Sequence, residues 1–269
     1  MSLDLAAYLQ RIALPARPTR DRYGLQALVR AHRLAIPFEN LDIPLGRGIR
    51  IDSASVFAKL VTGKRGGYCF EQNRLLRDAL VELGFAVRPL LGRVWLLHEG
   101  DEAPPLTHTL NLVTIDGEEW IADAGFGGSY APPLRLADGA EDIAPDGARH
   151  RLVRHVDHGW MLQRHAGGEG DDWQDQYSFT DAHIEEGDLD RANHWTSTTP
   201  GTRFTTLTVA RIVLPTGYAS LTNREYTRRN GTDASETVIS DPRVYRMRLS
   251  LMFGIDLTAE EAARLWDRI

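Results

Sequence analysis

KRGGYCFEQNRLLRDALVELGF, residues 64–85, is the stretch on which the reading of this chain turns. Leu75, Leu76, Ala79, Leu80 and Leu83 recur at helical spacing and fall on one face. Gly84 supplies the stop, and Gly66 and Gly67 end a turn just before the helix begins. Cys69 therefore sits at or just inside a helix N-terminus. Upstream the pattern is also helical: Leu5, Leu9 and Ile12 keep the period, as do Leu25, Leu28, Val29 and His32. Pro37 and Pro44 interrupt it, and Ser53 reads as the cap of a further short helix.

Downstream the signal changes. VWLLH, HTLNLVTI, EEWIADA, RHRLVRHV and GWMLQRH are short strand-like runs separated by Gly, Asp and Pro, with an exposed loop at GGEGDDW. Residues 193–201 read as a link to a third part. It carries strands at RFTTLTVARIVL, YASLT and REYTRR and closes with helices at 242–253 and 259–268, the last capped by Thr258 with Glu261 three residues on. The expected architecture is α+β, in three parts: residues 1–85 helical, 86–192 a small β-barrel or curled sheet, and 193–269 linker and further α/β structure.

The 269 residues, 42% hydrophobic and 25% charged, suffice for a substantial core. A net charge of −6 argues against a basic face for nucleic acid or an anionic membrane. The first ten residues carry Asp4 and lack a basic stretch followed by an apolar one, so they do not read as a signal peptide. No run approaches the ~20 apolar residues that cross a bilayer. A soluble, cytoplasmic protein is expected. The single cysteine excludes an intrachain disulfide and any multi-cysteine metal site.

A lone cysteine is more often a small buried hydrophobe than a nucleophile. The neighbours of Cys69 alter that balance. A helix N-terminus lowers a thiol pKa through its unpaired amides and dipole, and two preceding glycines allow close approach of substrate to the sulfur. The base is found by hairpin geometry. Asp116-Gly117 is a two-residue turn signal that pairs Ile115 with Glu118 and, stepping outward, Leu110 with Asp123. His108, two residues from Leu110, then shares a face with Asp123 as its diagonal neighbour. A slip of one residue would separate them. In that register Asp123 can fix the imidazole tautomer. Taken singly, His108 also reads as a satisfied strand histidine and Asp123 as a turn residue.

Other features carry less. Gly125-Phe126-Gly127-Gly128 looks like an amide-rich phosphate cradle but lacks the Lys-Ser/Thr of a P-loop and the full dinucleotide fingerprint. His150, His155, His158 and His165 fit no metal-ligand spacing and read as scattered histidines on a solvated strand pair; no metal is expected. Arg224, Arg228 and Arg229 read either as an anion contact or, preferably, as a solvated edge that discourages strand aggregation. A thioester carried on cysteine needs a water-poor pocket, for which Tyr68, Phe70, Phe126 and Trp195 are candidate walls beside their ordinary reading as core.

RGGYCFEQN (65–73) resembles the active-site signature of the arylamine N-acetyltransferases, and THTLNLV around His108, IADAGFGG around Asp123, IPFENLDI (36–43) and PTGYASLTNREY (215–226) extend the likeness over nearly the whole chain. The resemblance implies a helical bundle, a β-barrel and an α/β lid around a cysteine-protease-like core, with Cys69, His108 and Asp123 as the triad. It implies ping-pong transfer of acetyl from acetyl-coenzyme A, through acetyl-Cys69, to an aromatic amine, hydrazine or hydroxylamine, in a monomer or homodimer. It implies an acceptor pocket at Phe126, a coenzyme contact at Gly127 and Gly128, and a structural pair between Glu39 and Arg65. Asn111 departs from the apolar residue usual at its position and reads as a wet barrel site. An amide synthase that releases a polyketide, a papain- or transglutaminase-like amidohydrolase and a non-catalytic binding protein are the alternative readings; the presence of all three triad residues disfavours the last.

Overall fold

Polar caps and short amphipathic runs build the N-terminal part of the computed structural model, which describes residues 3–167, 172–231 and 233–269. Helix α1 (Leu5–Arg11) starts where the Asp4 carboxylate accepts from the Ala7 amide at 3.0 Å. Helix α2 (Arg22–Ala35) starts likewise at Asp21 and buries Leu25, Leu28, Val29 and His32, the face expected from the sequence. Strand β1 (Phe38–Glu39) follows. Helix α3 (Ser53–Phe57) is capped by Asp52, not by Ser53: the aspartate accepts from Ser55 N at 2.9 Å and leaves Ser53 as the first helical residue. A π-helical turn, Ala58–Thr62, continues it.

Helix α4 (Cys69–Glu82) begins at the nucleophile candidate. Its first turn is closed by Glu71, whose Oε2 accepts from Tyr68 N at 3.0 Å. It ends at Leu83, with Gly84 at φ +86°, the left-handed stop that glycine adopts without strain. Leu75, Leu76, Ala79, Leu80 and Leu83 are all buried.

Eight strands follow: β2 (Ala86–Val94), β3 (Leu106–Ile115), β4 (Glu118–Ala122), β5 (Leu134–Arg135), β6 (Glu141–Ile143), β7 (Arg149–His155), β8 (Gly159–His165) and β9 (Gln174–Phe179). They form one antiparallel sheet in the order β5-β4-β3-β2-β9-β8-β7-β6, curled into a nearly closed barrel. The GGEGDDW loop falls in part on residues 168–171, outside the described residues.

Three expectations fail beyond the barrel. Residues 193–201 are mostly helical rather than a link, because α5 (Glu186–Thr198) extends through residue 198. The strand expected from residue 203 is preceded by the short helix α6 (Arg203–Thr206) and begins only at β10 (Val209–Leu214). Strands β11 (Gly217–Thr222), β12 (Glu225–Asn230) and β13 (Asp233–Val238) complete a sheet ordered β1-β10-β11-β12-β13. Because β13 pairs along the whole of β12, Arg228 and Arg229 are not on a sheet edge. Arg224 instead stacks over Trp266, 4.0 Å from the ring centroid. Helices α7 (Pro242–Phe253) and α8 (Ala259–Trp266) close the chain, the latter with the Thr258–Glu261 capping box read from sequence.

Phe38, Tyr68, Cys69 and Phe70 share a buried cluster with Leu91 of β2, Leu189 and Ala192 of α5, and Val209 of β10. The start of α4 thus lies where helices, barrel and C-terminal sheet converge. Among the described residues no helix is long and apolar enough to cross a membrane.

Candidate active site

The hairpin has the register derived from its turn. Asp116 (φ 50°) and Gly117 (φ 83°) both adopt the left-handed conformation of the tight hairpin turn, and the ladder runs from Ile115↔Glu118 to Asn111↔Ala122. One further step sets Leu110 against Asp123 and brings His108 to the same face. His108 Nε2 lies 2.7 Å from Asp123 Oδ2, with His108 2% and Asp123 6% exposed. An ionised carboxylate only accepts, so Nε2 carries the proton and Nδ1 is left with its lone pair. Across the sheet His108 faces Gly92, where a Cβ would crowd Ser178 O at 3.0 Å; that glycine leaves space beside the imidazole.

Cys69 is buried against the strand that bears His108. Its thiol donates to Thr107 O at 3.6 Å, and the nearby backbone amides of Thr109 and Phe70 favour its ionised form. Burial pushes the thiol up, more strongly than those amides pull it down. The resting group is therefore a thiol, against the lowering expected from the helix start alone, and its ionisation needs an acceptor for the proton.

Asp123 is held as an anion. Burial opposes ionisation, but the charge and hydrogen bond of His108, the Asn73 carboxamide and the Gly125 amide outweigh it and bring the carboxyl down to about 2. Asn73 Nδ2 donates to Asp123 Oδ1 at 2.8 Å and to Thr109 O at 2.6 Å, while its Oδ1 accepts from Ala124 N at 2.9 Å. Asn111 is not wet. At 1% exposure its Nδ2 donates to Asn73 O at 3.1 Å. Asn73 sits four residues after Cys69 on α4, hence on the same helical face, a spacing that could have revealed its role in the site.

The remaining candidates divide. Phe126 packs edge-on to His108, ring centroids 5.4 Å apart, and to Tyr177 at 5.0 Å. Gly127 and Gly128 follow it closely packed; a Cβ on Gly127 would meet the Phe38 ring at 2.8 Å. Tyr68 is fully buried and bonds Asn193 of α5 through its hydroxyl, and Phe70 lies beneath it, so both are packing residues. Trp195 is 40% exposed on α5 and lies apart from the buried cluster at the site. Phe204 occupies that place instead, against Phe38 at 5.9 Å and Tyr68 at 5.6 Å. Arg65 bonds Glu39 at 2.7 Å and reaches Asp42 at 3.3 Å, the pair expected from the sequence with one more carboxylate. The four histidines do not converge: His150 is buried on Ser129, His155 and His158 stack together, and His165 meets Trp173.

A family model described as N-acetyltransferase matches residues 23–262. The chain is 38% identical to the arylamine N-acetyltransferase / N-hydroxyarylamine O-acetyltransferase of Salmonella typhimurium, over 95% of this chain and 90% of that one. It is 40% identical to the Escherichia coli arylamine N-acetyltransferase, with the same coverage. The solved Salmonella typhimurium enzyme superposes with a TM-score of 0.91 at 34% identity, covering 98% of each chain. The Mycobacterium marinum arylamine N-acetyltransferase in complex with CoA gives 0.90 at 32%, covering 98% of this chain and 99% of that one. Fold and relatives together define an acyltransferase built on a cysteine-protease-like core. The chain belongs to the arylamine N-acetyltransferase family.

Proposed function

We propose that the protein transfers the acetyl group of acetyl-coenzyme A to the nitrogen of arylamines, arylhydrazines or hydroxylamines through an acetyl-Cys69 intermediate. The observation that carries this reading is the thiol of Cys69 packed on Thr107 and Thr109, to either side of a His108 whose Nε2 is held by Asp123. Nδ1 of His108 takes the thiol proton as the sulfur attacks the thioester carbonyl. The carbon–sulfur bond to the coenzyme then breaks, and the imidazolium returns the proton to the leaving thiolate. In the second half the amine attacks the acetyl-enzyme, His108 accepts a proton from its nitrogen, and the Cys69 sulfur leaves and is reprotonated. Asp123, ionised throughout, keeps the tautomer and offsets the charge on the imidazolium.

The relatives' names support the acceptor class, and the aromatic rings of Phe126, Phe38 and Phe204 near the start of α4 suit an aromatic amine. Gly127 and Gly128 are assigned to the coenzyme, a role supported by backbone amides along that loop that meet no acceptor among the described residues. Mass spectrometry of the protein mixed with acetyl-coenzyme A alone tests the intermediate. The Cys69 peptide gains one acetyl group, Cys69→Ala gains none and turns over no amine, and near-normal acetylation by Cys69→Ala overturns the reading.

A further inference from the structure

One cation near the site lacks a counter-charge. Arg211 of β10 opens into a cavity bounded by Gly128, Ser129, Tyr130, Pro145 and Asp146, with room for about one water-sized body. Its guanidinium lies over the Tyr218 ring, 4.0 Å from the centroid, and its Nε is buried without a hydrogen-bond partner. No ion pair to Arg211 occurs among the described residues, whereas Arg164 has Asp146 at 3.6 Å. Arg33 lies in the field of Asp123 and donates to Ala124 O at 3.0 Å. Burial lowers the Arg211 pKa, and the charges of Arg33 and Arg164 act in the same direction; Tyr218 and Asp146 oppose them.

The neighbouring groups add no net negative charge. Tyr130 stays un-ionised, its phenol pushed up to about 12 by burial. His150, held at about 4 by burial and Arg164, is neutral and bonds Ser129 Oγ at 2.9 Å. Arg33, Arg164 and Arg211 face Asp123 and Asp146, while Arg30 and Asp142, both acting on Tyr130, offset each other, which leaves one positive charge in excess. Beside it runs a loop with donors to spare: among the described hydrogen bonds, no backbone amide of residues 126–130 reaches a protein acceptor.

We propose that this cavity binds one small monovalent inorganic anion of the chloride class, between Arg211 and the free amides of Ser129 and Tyr130, just beyond the two glycines assigned to the coenzyme. A half-buried guanidinium is costly without a partner, and successive free amides favour an anion. The excess of a single charge selects a monovalent ion, and the space of one water-sized body selects a small one. The bound ion ties the β10–β11 hairpin to the loop that continues from Asp123 through Phe126. Anion occupancy thereby steadies one wall of the site from outside it.

The test follows the melting temperature of the full chain, without coenzyme, in sodium chloride against sodium gluconate at equal ionic strength. Chloride raises it saturably by about 2–4 °C over gluconate, and Arg211→Met loses that increment. Crystals soaked in bromide show an anomalous peak beside Arg211, an observation on the unaltered protein that stands even if the variant fails to fold. Coincident chloride and gluconate curves, an increment retained in Arg211→Met, or no bromide at Arg211 overturns the proposal. So does an Arg211-dependent increment from coenzyme A with none from chloride, which assigns the site to a coenzyme phosphate instead.

Discussion

Asn73 donates to Asp123 Oδ1 at 2.8 Å from one helical turn beyond Cys69, so the helix that presents the thiol also orients the acid that orients the base. His108 takes the other carboxylate oxygen at 2.7 Å, which leaves each oxygen of Asp123 with its own assigned donor. The three groups proposed for catalysis are thus fixed relative to one another through a fourth side chain.

Replacing Asn73 by leucine removes the donors to Asp123 and Thr109 and leaves both acceptors buried. Stability should fall by about 1–3 kcal/mol, and kcat by roughly 10–100-fold from loss of orientation, with KM for the amine little changed. Steady-state kinetics with a chromogenic arylamine, beside a denaturant titration, reads both. A variant with unchanged kcat would mean that the α4 and β3 backbones alone hold the site.

The depressed carboxyl of Asp123 gives a pH dependence with a definite sign. Its folded value of about 2 lies below the ordinary aspartate value, so its stabilisation is fully present above the unfolded value and is lost as pH falls through the folded one. The shift corresponds to about 2 kcal/mol. The stability gap between wild type and Asp123→Asn should therefore be constant from pH 7 to about 5 and shrink from about pH 4 to pH 2. Urea midpoints across that range measure it. A gap that widens toward acid reverses the sign and refutes the assignment.

Local pattern carried much of this site. A helix stop at Gly84 and a two-residue turn at Asp116-Gly117 are short-range signals, and they placed Cys69 on a helix start and His108 beside Asp123. Asn73 was missed, although its spacing of four from Cys69 on one helix was a signal that could have found it. Tyr177, Phe38 and Phe204 had no such signal, because their contacts join strands and helices far apart in sequence and leave no periodic trace. Trp195, a candidate wall by residue type alone, is 40% exposed on α5 and lies outside the buried cluster, a placement set by contacts distant in sequence. Asn111 read as wet because polarity in a strand usually marks solvent, whereas here a buried carbonyl of α4 receives it.

Arg65 shows how much a buried charge depends on its partner. Glu39 is fully buried, and Arg65 Nε and NH2 bond its Oε1 at 3.1 and 2.7 Å, while Lys59 bonds Asp42 and Glu71, each at 2.7 Å. Arg65→Met strands Glu39 beside two further carboxylates and should cost about 3–5 kcal/mol. The double variant Arg65→Met/Glu39→Gln should recover part of that loss. Thermal melts of the single and double variants decide it: equal losses would mean that Arg65 acts by packing alone.

Gly125 offers the sharpest separation of activity from stability. A Cβ built there would stand 2.6 Å from Cys69 Cα, 2.6 Å from Asn73 Nδ2 and 2.8 Å from Cys69 O. Two of those neighbours are backbone atoms at the start of α4, which cannot swing aside as a side-chain tip can. Gly125 has no left-handed φ, so the effect of alanine is set by the collision and not by left-handed backbone strain. The loop must lift from α4, drawing Asp123 away from Asn73 and His108 away from the thiol. A displacement of about 1 Å at reacting groups costs on the order of 100-fold in rate, so Gly125→Ala should lose about that much kcat/KM. It should remain folded by circular dichroism, and its Cys69 should acetylate slowly when mixed with acetyl-coenzyme A alone. Normal acetylation of Cys69 in this variant would show that the Asp123 loop can move without carrying His108, and that the contact with α4 does not set the geometry of the site.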